Sequence, residues 1–142
     1  DVDPSVMASC QRLQEELDAQ PSSMHWATAD FLTTRRIDFM PPDVDCGVIG
    51  GPPYYSDPNM DLPTRFVQHA IHEYKATVVA FIMPQRLAAD MAETRIRQTL
   101  PLDYEYQCLE LKTGSTFYFQ GKTPVQQPSV IQCFWKRTTQ LT

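Results

Sequence analysis

Val44-Asp45-Cys46-Gly47-Val48-Ile49 runs without a break into Gly50-Gly51-Pro52-Pro53-Tyr54-Tyr55, and this junction decides how the rest of the chain is read. A short apolar run bounded by prolines and glycines has the composition of a strand buried on both faces, as parallel strands are. Two consecutive prolines then end it. Each lacks an N–H donor and holds φ at about −65°, so the turn is rigid and rich in carbonyl acceptors, with the flat face of Tyr54 behind it. In open α/β sheets, ligands bind outside the carboxyl ends of the strands, where this turn lies. A planar, amino-bearing group would suit it. Taken alone, however, a di-proline reads first as a plain strand stop, because such pairs mark turns everywhere.

Working outward, Asp61-Leu62-Pro63 caps a helix whose apolar face is Leu62, Phe66, Ala70, Ile71 and Tyr74. Thr77 to Met83 is a second buried strand, stopped by Pro84, and Leu87, Ala88, Met91, Ala92 and Ile96 mark a further helix, halted by Pro101. Upstream, Asp3-Pro4 is a helix entry followed by Val6, Cys10, Leu13 and Leu17, spaced 4, 3 and 4 apart, with the helix ending near Pro21. Residues 23–30 read as a short strand ending at Asp30-Phe31, and Arg35 to Pro42 as an exposed connection. After Pro101 strands follow one another: Tyr104 to Leu111, Thr116 to Phe119 and Val130 to Lys136, joined as a hairpin through the loop holding Gly121, Pro124 and Pro128. Alternating helices and strands imply an α/β layered fold, with antiparallel strands at the C-terminal edge of a mostly parallel sheet.

Composition narrows the function. At 142 residues the chain fits one domain. Its five glycines stand at 47, 50, 51, 114 and 121, so no GxGxxG or Walker A loop is present. Twelve Lys and Arg against 17 Asp and Glu give no basic footprint for holding nucleic acid unaided. Cys10, Cys46, Cys108 and Cys133 lie at long spacings without a CxxC pair, which points to reduced thiols and an intracellular protein of cytoplasm or nucleus. His69 and His72 share a helical face, but no further ligands accompany them, so no metal site is expected. No run approaches the ~18 apolar residues of a membrane span.

Five segments occur in order: Asp1-Val2-Asp3-Pro4, Ala29-Asp30-Phe31-Leu32, Val48 to Tyr54, Phe66-Val67-Gln68-His69-Ala70, and Val79 to Pro84. In that order the chain, from residue 1 to about residue 137, resembles the class I S-adenosylmethionine-dependent methyltransferases of the N6-adenine type, which carry an Asn-Pro-Pro-Tyr/Phe motif. The resemblance implies a three-layer α/β sandwich with a Rossmann-like methyltransferase sheet, holding the second through seventh strands of seven. The first strand and its glycine-rich turn are expected upstream of Asp1, in a longer protein. A sheet without that strand would expose apolar edges.

Residue by residue, the resemblance implies that Asp1 hydrogen-bonds the ribose of S-adenosylmethionine and Val2 lies beside the cofactor adenine. Asp30 would accept from the adenine amino group and Phe31 pack on the ring. Gly51, Pro52, Pro53 and Tyr54 match the catalytic loop, where acceptors hold the target amino group and the aromatic stacks on a flipped base. Phe117 sits roughly where a second aromatic meets that base, though it reads equally as an edge-strand core residue. For Asp3, simple helix capping is the better reading, and without the other motifs Asp30 would be an ordinary strand-end polar residue. Trp135 reads as core. Gly51 departs from the pattern, since it replaces an Asn side-chain acceptor, and losing such a contact commonly costs about 10²–10³ in rate.

The expected activity is methyl transfer to adenine N6 in DNA or RNA. Nucleic acid would be held through additional domains or a partner subunit, with no membrane involved. Alternatives are methylation of a protein glutamine amide, and a catalytically degenerate domain that binds a protein partner.

Overall fold

A computed structural model describes residues 3–16, 27–53, 56–57, 60–85, 90–111, 116–119, 123–126 and 128–138. Helix α1 spans Pro4–Glu16, and strand β1, Gly47–Gly50, follows two short 3-10 turns at Phe31–Thr33 and Arg36–Asp38. Then come the two-residue strands β2 (Ser56–Asp57) and β3 (Met60–Asp61), helix α2 (Leu62–His72), strand β4 (Val78–Pro84) and helix α3 (Asp90–Thr99). Strands β5 (Tyr104–Glu110), β6 (Thr116–Phe119), β7 (Thr123–Gln126) and β8 (Ser129–Lys136) complete the described chain.

The main sheet has the order β1-β4-β8-β5. Strands β1 and β4 are parallel, with Val48 opposite Val79 and Gly50 opposite Phe81. Strand β8 inserts antiparallel between β4 and β5, placing Phe134 opposite both Val79 and Tyr106. Strands β2 and β3 pair with each other, and β6 and β7 form a hairpin of their own through the segment containing Gly121. The fold is the expected α/β class, with its antiparallel strands at the C-terminal end.

Register decides where the core lies. Val79, Phe81 and Met83 alternate with Val78, Ala80 and Ile82, and the first set pairs with Val130 and Phe134, so these side chains line one face of the sheet. All five are buried there, joined by Val67, Ala70, Ile71 and Tyr74 from the apolar stripe of α2 and by Ile96 from α3. Burying a side chain of this size contributes roughly 1.5–3 kcal/mol. On the other face Ile49 is 81% exposed, and Val78 and Leu109 are exposed as well. Trp135 is half-buried on that second face, away from the main cluster that was expected to hold it.

Local chemistry accounts for the helix ends. Asp3 caps α1: its carboxylate accepts from the Ser5 amide and hydroxyl, each at 2.8 Å. Those bonds from Ser5 hold its pKa below the ordinary value. The apolar stripe of α1 leaves Val6 and Leu13 exposed. Helix α2 ends with Lys75 in the left-handed region at φ 52°, and the Ala76 amide reaches back to the Ala70 carbonyl at 3.1 Å, so the chain folds back over the last turn.

The reading of β1 as a buried strand fails, since Gly47, Ile49 and Gly50 are exposed at the sheet edge, and two further expectations fail. No strand forms over residues 27–30, and residues 23–26 of that expected strand lie outside the described residues. Instead Asp30 is the N-cap of the first 3-10 turn, accepting from the Leu32 amide, a geometry that ends extended pairing. Among the described residues β1 is an edge of the sheet, so no strand there pairs with its outer side. The last failure is Arg36, which lies in the segment read as exposed but is 8% exposed. Its guanidinium donates to the carbonyls of Tyr74 at 2.7 Å, Pro41 at 3.0 Å and Val44, tying the approach to β1 onto the end of α2.

Candidate active site

A cleft of about 720 Å³ opens at the carboxyl end of β1. Its floor and rim are Val48 to Pro53, one side is Ala29 to Leu32, and Leu62, Phe66 and Phe81 close it from α2 and β4. The topology makes this cleft. Strand β1 delivers Gly50-Gly51-Pro52-Pro53 beyond the sheet edge, and α2 starts nearby so that Leu62 and Phe66, one turn apart, face the same space.

Five of the residues singled out from sequence meet here: Asp30, Phe31, Gly51, Pro52 and Pro53. Pro52 is buried, Pro53 half-buried and Gly51 exposed. Asp1, Val2 and Tyr54 lie outside the described residues. Phe117 lies in β6 opposite Val125, a hairpin separate from the main sheet, and its side chain is outside what is described. Leu62, Phe66 and Phe81 were not expected as site residues. Leu62 and Phe66 did carry a signal, as two apolar residues four apart just after the di-proline loop.

Asp30 has two jobs available. One carboxylate oxygen accepts from the Leu32 amide at 3.0 Å, which fixes the turn. A carboxylate has further acceptor capacity on its second oxygen, and Asp30 is exposed at the cleft. Phe31 sits in an aromatic cluster, with ring centroids 5.2 Å from Phe66, 5.3 Å from Tyr74 and 4.9 Å from His69. The Tyr74 hydroxyl shares a 2.6 Å hydrogen bond with the Thr34 hydroxyl. Burial pushes the Tyr74 phenol above its ordinary pKa, partly offset by that bond.

The cleft therefore offers aromatic and aliphatic walls, a carboxylate, and a loop in which Pro52 and Pro53 have no N–H donor. Such a site suits a planar heteroaromatic ring bearing an amino group. Among the described residues no cluster of three His, Cys, Asp or Glu is placed to hold a metal.

The fold is that of a methyltransferase-like Rossmann domain. Among solved structures, the chain is similar to the crystal structure of the 23S rRNA methyltransferase ErmE, with a TM-score of 0.62 and 19% identity, covering 97% of this chain and 51% of that one. This chain thus spans about half the length of that structure. No protein-family model matches it, and no curated protein sequence does.

Proposed function

We propose that the cleft is the site of an S-adenosylmethionine-dependent methyltransferase whose target is the N6 amino group of adenine in DNA or RNA. The observation that supports this reading is the meeting of Gly51-Pro52-Pro53 with Asp30 and Phe31 in one cleft of a methyltransferase-like fold. When bound, S-adenosylmethionine supplies an electrophilic methyl group on a sulfonium sulfur.

The residues present fit the adenine end of that cofactor. Phe31, Leu62 and Phe66 supply apolar walls for a ring, and the free acceptor capacity of Asp30 suits its amino group. Asp1 and Val2 are assigned to the ribose and the adenine edge by resemblance. At the target, the carbonyls of Gly51 and Pro52 accept from the amino N–H bonds, which turns the nitrogen lone pair toward the methyl group. The S–CH3 bond would break as the N–CH3 bond forms, leaving a neutral thioether, and the nitrogen would give up one proton to solvent. Such a step relies on positioning rather than on a strong base. Tyr54 and Phe117 are assigned to stacking on the target base.

Gly51 supplies no side-chain acceptor, so the rate is expected to be low for this type of site. With a net charge of −5, additional domains or a partner subunit would hold the nucleic acid. The same two features favour a second reading, a domain that binds a partner without catalysis. Transfer of tritiated methyl groups tests the choice. Label in adenine of an oligonucleotide supports the first reading, label in glutamine of protein moves the target, and no label with intact cofactor binding supports the second reading.

A further inference from the structure

The turn that carries Asp30 and Phe31 is closed by its own bonds, from the Thr33 amide to the Asp30 carbonyl at 3.0 Å and from the Thr34 amide to the Phe31 carbonyl at 3.1 Å. These shape the turn without fixing where it stands relative to the sheet. Its placement comes from long-range contacts to α2 and the residues just after it. His69 Nε2 lies 2.9 Å from the Thr34 carbonyl oxygen, and the His69 ring stands edge-on to Phe31, at 83° between planes. A carbonyl oxygen only accepts, so Nε2 carries the proton and donates. On its other side the half-buried His69 borders a groove of about 260 Å³ shared with Leu32, Arg65, Gln68 and His72. His69 thus stands between the cleft-lining turn and open solvent, 35 residues from the carbonyl it holds.

We infer that His69 is a positioning residue for the ligand-binding turn, holding Phe31 and Asp30 at the cleft through its bond to the Thr34 carbonyl. This rests on the cofactor reading of the cleft given above. His72, one turn further along α2, has an exposed side chain at the same groove and serves as the control.

The test compares the full chain with His69→Leu, His69→Gln and His72→Leu, using calorimetric titration of S-adenosylmethionine and hydrogen exchange of the Leu32, Thr33 and Thr34 amides. Leucine removes the donor, whereas glutamine places an amide N–H near the position of Nε2. His69→Leu is expected to weaken cofactor binding about tenfold, the worth of one hydrogen bond. Its turn amides should exchange faster, while the amides of α2 stay protected. His69→Gln should return affinity to within about threefold of the unaltered chain, and His72→Leu should change neither readout. Unchanged affinity and exchange in His69→Leu would overturn the inference, as would a His69→Gln variant as impaired as His69→Leu. If the unaltered chain binds no cofactor, the functional reading falls, and the exchange measurements still decide whether His69 holds the turn.

Discussion

A β-carbon at residue 51 would stand 4.0 Å from the Ile82 carbonyl oxygen, an ordinary contact distance, so Gly51 leaves room for a side chain at the mouth of the cleft. The glycine is not required there by crowding. Gly51→Asn is accordingly expected to fold with a stability within about 0.5 kcal/mol of the original, as surface substitutions usually do. It should raise adenine methylation by about 10²-fold if a missing side-chain acceptor is what slows the site. Tritium-methyl incorporation measures this, and an unchanged rate would argue for a binding module.

Asp30 separates capping from ligand contact. Asp30→Ala removes the cap on the Leu32 amide and is expected to cost about 0.5–1 kcal/mol in urea unfolding, whereas Asp30→Asn retains a cap and should cost little. Cofactor affinity should fall about tenfold in Asp30→Ala, as for the loss of one hydrogen bond. If Asp30→Ala unfolds more easily but binds as well as the original, the carboxylate is a cap alone.

Arg36 ties the approach to β1 onto the end of α2. Replacing it with Met would leave the Tyr74, Pro41 and Val44 carbonyls without that donor. The expected loss is about 3 kcal/mol, the scale of removing a buried charge-assisted network. Denaturant unfolding reads it directly, and a loss below about 1 kcal/mol would show that those carbonyls find other donors.

Alkaline pH should loosen the molecule. Burial raises the pKa of Tyr74, and it raises that of Tyr104 too, with the Asp103 carboxylate adding to the effect. The unfolded chain gives up these phenolic protons at lower pH than the folded chain does. Their contribution to stability is therefore intact below about pH 10 and is lost as pH climbs through the raised folded values. Urea midpoints, followed together with phenolate absorbance, should fall across that range. Tyr74→Phe should flatten the fall.

Legibility from sequence followed how local the governing chemistry is. Strand β4 was readable because Thr77 to Met83 is one apolar run stopped by Pro84, and the structure places it at Val78–Pro84. The proline loop was readable because the missing N–H groups and fixed φ of Pro52 and Pro53 act wherever they stand. Arg36 was not, since its partners come from residues 41, 44 and 74, and no periodicity links these to a guanidinium. Leu62 and Phe66 satisfy helical spacing whether they face core or cleft, so only the packing of α2 shows that they line the site. Over the described residues 27–30 the expected strand failed, because Asp30 found a local amide to cap in place of a neighbouring strand.

Titration of S-adenosylmethionine into the protein tests the central claim most directly, because every role given to Asp30, Phe31, Leu62 and Phe66 depends on cofactor in the cleft. Saturable binding tighter than about 1 mM, or roughly 4 kcal/mol, weakened by Asp30→Ala, is the expected result. Absence of any binding heat at millimolar cofactor would contradict the account.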